Sequence, residues 1–353
     1  VGALAPPGQA SRGLSLHRSW LFAAARPFLS AAEDPFAEGL GGTEQAVIHL
    51  ASALAARGHR VRVAGAVAAR AFQGVEWLEP GARPDADVTV AINSASLLPE
   101  RAGLPVVWFH NEVEFWRELR KRRLPALLRH RPAAVFIGAE QARLASWMLP
   151  FRARRVIPYG LPPRVLAAPA ADRVPAPQTI FTSQAYRGLR EVIGMWRAHV
   201  APRCPGARLA AYIGAGDVAA FAALAAGEPS ISIHPRVGND AVLELLRGTR
   251  VLLAPGHQSE TFCLAAAEAI AMGVPVVTLG IGSLKERVVD GRTGFVARGW
   301  REMAERTVAL LTDEALWARQ HAEGLATRVG NDWDRVAATW EHFVDEQIRS
   351  LAA

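Results

Sequence analysis

One pattern constrains the fold of this chain more than any other. Short, largely apolar runs alternate with stretches of helical periodicity, and the alternation repeats from end to end. Apolar runs stand at 19–25, 61–63, 87–91, 106–109 and 134–137, then at 179–183, 208–213, 231–234, 250–253 and 275–278. A strand buried on both faces reads as a continuous apolar run, and parallel strands need a crossover helix between them. The pattern therefore predicts an α/β chain of parallel sheets. A helix over 43–57 illustrates the intervening segments. Ala46, Val47, Leu50, Ala51 and Leu54 fall on one face, Thr43 is the expected N-cap, and Gly58 lies past the end. Helices are likewise expected over 189–200, 241–247 and 261–272.

The series is interrupted once. Residues 156–177 are rich in Pro and Ala and read as a linker. A chain of 353 residues is long enough for roughly two domains. We therefore expect a doubly wound, Rossmann-like domain over 1–165 and a second over 166–330. A helix over 331–353, with Trp333, Val336, Trp340 and Phe343 on one stripe, is expected to cross back to the first. Ligands of such sheets sit at the carboxyl ends of the strands, so the chemistry should lie in strand-to-helix loops facing a cleft.

Composition removes several classes. Hydrophobic residues make up 50% and charged residues 21%, which is a globular rather than a disordered balance. Two cysteines, Cys204 and Cys263, make neither a disulfide framework nor a zinc cluster. The apolar stretch at 19–25 is short and ends at Arg26, so it reads as a first strand rather than a leader, and no run is long enough to span a membrane. The expected compartment is the cytoplasm, with peripheral contact at the inner membrane face as an option.

The net charge of +7 is lopsided. Residues 1–165 carry 21 basic and 13 acidic side chains, against 19 and 20 in the remainder. The surplus concentrates in 101–165, with 13 basic and 4 acidic. Trp116, Arg120, Lys121, Arg122 and Arg123 place cations beside an aromatic ring, which suits an anionic glycan or lipid surface and equally suits a solvated basic face. Pro125 argues against one continuous helix there. No nucleic-acid-binding module is present.

Two loops carry the candidate chemistry. Gly39-Leu40-Gly41-Gly42-Thr43-Glu44 enters the first helix, where free N–H groups and the helix dipole favour an anion. Alone it is also an ordinary glycine-rich turn. The second loop follows the 250–253 strand and runs Ser259-Glu260-Thr261-Phe262-Cys263, continuing to Glu268 and then Gly273-Val274-Pro275-Val276-Val277. Eight helical positions advance about 800°, so a helix through both would turn Glu260 and Glu268 to nearly one side. Two acids on an Ala-rich helix call for hydroxyl, amide or cation partners. The plainer reading is a capping Glu260 and a solvated Glu268. Two further matches are declined. Gly214–Ala219 fits GxGxxA but lacks the acid at the end of the next strand, and Asp85-Ala86-Asp87 precedes a strand rather than following one.

Glu260 through Glu268 resembles the E-x7-E motif of GT-B retaining glycosyltransferases of the family 4 type. The Gly273–Val277 continuation, the Gly41–Glu44 helix entrance, Ile157-Pro158-Tyr159-Gly160 and Arg187-Gly188-Leu189 resemble the same family, over about residues 36–330. The resemblance implies a GT-B fold, a nucleotide-sugar donor with UDP or GDP as its nucleotide, and transfer with anomeric retention to a glycan or lipid-linked acceptor. It implies neither a metal nor a separate cofactor. Glu260 would bond donor-sugar hydroxyls and Glu268 the ribose. The N–H groups of Thr261, Phe262 and Cys263 would hold the phosphate, with Gly41 and Gly42 near the pyrophosphate. Arg187 would neutralise the leaving diphosphate, Val237 would hold the base, and His110 would lie near the donor sugar. The family's second cation is missing near Phe181-Thr182-Ser183, where Ser183 offers only a hydroxyl and Arg190 is the available substitute. That gap leaves a catalytically silent relative, binding a glycan or a partner protein, as the alternative.

Overall fold

The computed structural model describes residues 17–28 and 40–352, so Gly39 of the first loop lies outside the described residues. The chain forms two compact units. Among the described residues, one comprises 17–28, 41–159 and 333–352, and the other Leu40 and 160–332.

The first unit is built on eight strands: β1 (Ser19–Ala23), β2 (Arg60–Ala64), β3 (Arg70–Phe72), β4 (Val75–Leu78), β5 (Val88–Ile92), β6 (Leu104–Phe109), β7 (Ala133–Phe136) and β8 (Ala153–Val156). They lie in the order β3-β4-β2-β1-β5-β6-β7-β8. Every pairing is parallel except β3 with β4 at the edge. Central strands are buried along most of their length, in keeping with their largely apolar sequences: Trp20, Leu21 and Phe22 are fully enclosed. The short β3–β4 ribbon, with polar residues inside it, left no such run to read.

The second unit has six parallel strands: β9 (Gln178–Thr182), β10 (Arg208–Ile213), β11 (Ile231–Pro235), β12 (Val251–Leu253), β13 (Val276–Thr278) and β14 (Gly294–Val296). Their order is β11-β10-β9-β12-β13-β14. The direction of winding reverses between β9 and β12, and the crevice outside their carboxyl ends is where an open α/β sheet binds ligand.

Three local expectations need correction. Thr43 does not cap the first helix, which spans Gly42–Ala56 behind Gly41 and has no side-chain cap. The helix expected over 261–272 begins only at Leu264 and ends at Ala271. Its N-cap, Cys263, is in the left-handed region at φ 64°, which turns the chain too sharply for the preceding residues to be helical. The stretch read as a linker is structured within the second unit. Pro163–Ala167 is a short helix whose Val165 is buried among Ile180, Ala266 and Ile270.

The helix Trp333–Ala352 packs in the first unit on its stripe of Trp333, Trp340 and Phe343, with Val336 half-buried beside them. Three large buried side chains contribute roughly 1.5–3 kcal/mol each. Ion pairs add direction: Arg57 pairs Asp334 and Glu341, Arg18 pairs Asp345, and Arg155 pairs Glu346. These carboxylates alter the charge count. The described residues of the first unit carry 21 basic and 14 acidic side chains, four of the acids on this helix, so part of the surplus read from the sequence holds it in place.

Candidate functional site

The loops after β9 and β12 converge at the switch point of the second sheet. Thr182, Ser183, Arg187, Pro255, Glu260 and Cys263 line one largely apolar cavity there. Arg187 reaches it because Gly188, at φ 102°, bends the chain into the helix Leu189–Met195. A side chain at Gly188 would also press on Pro255. Arg187 hydrogen-bonds the Oε2 of Glu260. Burial pulls the Arg187 pKa down, but Glu260 and Tyr186 more than offset it, and the net shift is upward.

Glu260 is not part of the helix, and the one-face argument from helical rotation does not apply to it. Instead its Oε1 accepts the N–H of Cys263 at 3.1 Å, a capping contact, while Oε2 takes Arg187. The Cys263 N–H, expected for phosphate, is engaged by this carboxylate. Thr261 and Phe262 flank it, and the Phe262 ring carries the Arg287 guanidinium 4.5 Å from its centroid. Burial, with Glu260 nearby, pushes the Cys263 thiol up to about 12, against the pull of Arg187 and Arg287. Cys263 is therefore a protonated, space-filling group at neutral pH.

Glu268 is buried rather than solvated. Its Oε1 accepts from Arg164 Nη2 at 2.7 Å. Burial raises its pKa, and Arg164 opposes the rise. Neither Arg164 nor Arg287 was singled out from the sequence. Arg164 is 104 positions from its partner, and Arg287 lies beyond the motif it stacks on. Arg190, the expected substitute cation, is exposed and does not line the cavity. Val237 is half-buried in the loop after β11 and does not line it either.

In the first unit, His110 follows β6 and is buried. Its backbone N–H donates to Asn93 Oδ1 at 2.7 Å, and Nδ1 hydrogen-bonds the Tyr159 hydroxyl. Gln141 fixes the chain on either side, donating to the carbonyls of Phe109 (3.0 Å) and Asn111 (2.8 Å). Trp108 packs against the imidazole with centroids 4.3 Å apart. Burial lowers the His110 pKa to about 3, so the ring is neutral at physiological pH. Gly41 and Gly42 stand at the first helix entrance as expected, but the Glu44 carboxylate folds back over Gly41, where an added Cβ would lie 2.5 Å from Oε2.

The basic segment divides into Phe115–Arg120 and Leu124–His130, with Arg122 in the left-handed region at φ 55° between them. Trp116 is 71% exposed, and Arg120, Lys121 and Arg122 are exposed with it. Arg123 turns inward, donating to the Asn93 carbonyl at 3.1 Å and pairing with buried Glu118. A second apolar and basic corner lies where β7 and β8 begin. Arg152 donates its N–H to the Pro132 carbonyl there, and Arg154 binds the carbonyls of Ala145 and Ser146. Trp147 beside them is 85% exposed, with Met148 and Leu128 also exposed.

The two declined motifs have ordinary roles. Asp87 accepts from the N–H and hydroxyl of Ser19, which hold its carboxyl below the usual range. Gly214–Ala219 forms a turn entering the helix Val218–Ala225. Among the described residues, no group of three His, Cys, Asp or Glu is placed to hold a metal ion. No helix there is long and apolar enough to cross a membrane.

Residues 177–313 match the family described as "Glycosyl transferases group 1". The D-inositol 3-phosphate glycosyltransferase of Streptomyces scabiei is 35% identical over 133 residues, covering 37% of this chain and 27% of that protein. Its counterpart from Streptomyces coelicolor is 27% identical over 249 residues, covering 67% and 49%. The chain thus spans between about a quarter and a half of the length of these curated relatives. Sucrose-phosphate synthase from Thermosynechococcus elongatus superposes with TM-score 0.72 at 14% identity, covering 94% of this chain and 99% of that one. WaaG, a glycosyltransferase involved in lipopolysaccharide biosynthesis, gives 0.66 at 16%, covering 92% and 99%. At such identities the likeness is one of fold.

Proposed function

We propose that this chain, whose residues 177–313 form a group 1 glycosyltransferase domain on a GT-B fold, transfers a sugar from a nucleotide-sugar donor with retention at the anomeric carbon. The observation that carries this reading is the switch-point cavity, where Arg187, Glu260 and Cys263 meet. Without donor, Arg187 and Glu260 satisfy each other. With donor, the diphosphate would take Arg187 and the sugar hydroxyls would take Glu260. One ion pair would thus be exchanged for two ligand contacts, and neither charge would be left buried alone.

The chemistry asked of the protein is modest. The bond between the anomeric carbon and the diphosphate oxygen breaks with its electron pair leaving on that oxygen. The acceptor hydroxyl oxygen bonds the same carbon, and its proton passes to the departing phosphate. Arg187 stabilises the charge that develops, and positioning supplies much of the rest. No metal or separate cofactor enters this scheme. His110 belongs to it as a neutral hydrogen-bonding group near the donor sugar. Calorimetry with UDP and GDP tests the reading: one should bind, and Glu268→Ala and Arg187→Met should each weaken binding at least tenfold. Failure to bind any common nucleoside diphosphate overturns it. Binding without turnover across a panel of acceptors would point to the catalytically silent alternative.

We assign the acceptor side to the first unit and the acceptor to an anionic glycan or lipid. D-inositol 3-phosphate in the names of the relatives and lipopolysaccharide in that of WaaG are anionic in keeping with this. The exposed rings of Trp116 and Trp147, each among arginines, suit the interface of an anionic bilayer. Phosphatidylglycerol vesicles should retain the protein at low salt and release it at high salt. Trp147→Ser and Trp116→Ser should each weaken retention. Equal retention on neutral vesicles would overturn the charge argument.

A further inference from the structure

The segment 160–168 holds more than the passage between sheets. Leu161 donates its N–H to the Asn331 carbonyl at 2.6 Å. The helix Pro163–Ala167 packs Val165 into the core that also contains Ala266, Ala269 and Ile270, on the helix Leu264–Ala271. Arg328 clasps the two segments together, donating to the carbonyls of Ala168 at 2.9 Å and Ala271 at 2.6 Å. The backbone that carries Arg164 is therefore fixed against the helix that carries Glu268. Their side chains, 17% and 11% exposed, meet at 2.7 Å.

We propose that Arg164 is a positioning residue for nucleotide recognition: it pins one oxygen of Glu268 and presents the other to the ribose hydroxyls. The proposal rests on the donor-binding reading above, which gives Glu268 the ribose. Among the described residues, Arg164 is the one hydrogen-bond donor to the Glu268 carboxylate, and it uses Oε1. Oε2 retains its acceptor capacity, which suits a vicinal diol whose hydroxyls both donate. A carboxylate buried without a cation is driven toward its protonated form, and a protonated carboxyl rotates and donates as readily as it accepts. Arg164 thus fixes both the charge and the aim of the group. The arrangement differs from that of Glu260, whose cation is needed elsewhere once the donor arrives. Neither Glu268 nor Arg164 lines the switch-point cavity itself; the pair lies further along the helix that begins after Cys263.

The test measures discrimination rather than bare affinity. Calorimetry compares whichever of UDP and GDP binds with its 2′-deoxy and 3′-deoxy forms. Wild type should prefer the ribonucleotide. Glu268→Gln and Arg164→Met should each reduce that preference about tenfold, the scale of one hydrogen bond to a charged group. The double variant should show no further loss, because the two act as one device. Arg164→Lys should restore part of the preference, and it serves as the second variant if Arg164→Met folds poorly. A purely structural Arg164 would lower the melting temperature and leave the ratio of affinities intact. That result, with Glu268→Gln losing the ratio, overturns the proposal. A wild type that binds the nucleotide with no ribose preference also overturns it while sparing the donor site. No nucleotide binding at all removes the donor-binding reading itself.

Discussion

The two units hold their reactive groups in opposite ways. In the second, two glutamates are each matched to an arginine from a distant part of the chain, Glu260 to Arg187 and Glu268 to Arg164. In the first, His110 is a neutral ring held by Tyr159 and Trp108, with Asn93 and Gln141 bracing the backbone around it. The difference teaches how each site is made ready. A charged group under cover must have a counter-charge, so each glutamate of the second unit is paired within it; on the proposed function the donor exchanges the Glu260 pair and leaves the Glu268 pair in place. A neutral group needs only hydrogen bonds and packing, so the first unit can be rigid in advance.

The sharpest way to break this contrast is through His110. On the proposed function, His110→Ala removes one preorganised hydrogen-bonding group from beside the donor sugar and should lower turnover by about a hundredfold. With its pKa near 3, the imidazole stays neutral across the working range, so the pH–rate profile should show no inflection near 6.5 that His110→Ala removes. An inflection that disappears in the variant would mean a titrating, solvated ring, and the contrast would fail. The same burial has a stability consequence with a definite sign. Because the folded pKa lies below the ordinary 6.5, the unfolded chain binds the proton first. The cost begins as pH falls below 6.5 and grows toward pH 3, at up to about 1.4 kcal/mol per pH unit.

These two sites were legible to different degrees in the sequence. Most of the parallel strands could be read because burial on both faces leaves largely apolar runs, but β8, with Arg154 and Arg155 exposed in it, and the three-residue β14 escaped. The β3–β4 ribbon could not, because three or four edge residues with Glu76 among them leave none. Glu260 and Glu268 were found by their spacing, but the reason given for the spacing was half right. Cys263 in the left-handed region makes the helix begin about one turn late, and no apolar pattern reports a backbone angle. Arg164 was hidden in a stretch whose prolines read as linker. Pro163 begins a short helix there, a position where its missing N–H costs nothing. The tyrosine behind His110 and the acids behind the basic surplus share one cause. Each partner lies tens to hundreds of positions away, at separations where sequence carries no pairing signal.

A smaller effect sharpens the contrast from within the first unit, which does contain one charged device under cover. Glu341, on the C-terminal helix, accepts Arg57 Nε and Nη2 at 2.8 and 2.9 Å and hydrogen-bonds His59 Nε2 at 2.9 Å. Burial alone would raise its pKa, but the bonds from His59 and Arg57 outweigh it and hold the carboxyl at about 2. Unlike Glu260, it has no ligand to change places with, so it should behave as a fixed strap. The aromatic stripe supplies the larger share of the helix's docking energy, and Glu341→Gln should therefore cost only about 2 kcal/mol. For a unit of this size that is a fall of roughly 4–8 °C in melting temperature. The sign with pH follows from the depressed pKa. Stabilisation from the carboxylate is complete above about 4.5, the ordinary value, and drains away as pH falls toward 2. Urea unfolding at neutral pH and near pH 3 should thus show the wild type losing its advantage over Glu341→Gln on acidification. His110 destabilises both proteins alike over that interval and cancels in the difference. A gap that stays constant with pH would mean that shape rather than charge holds Glu341, and the first unit would then be stabilised without any buried ion pair that matters.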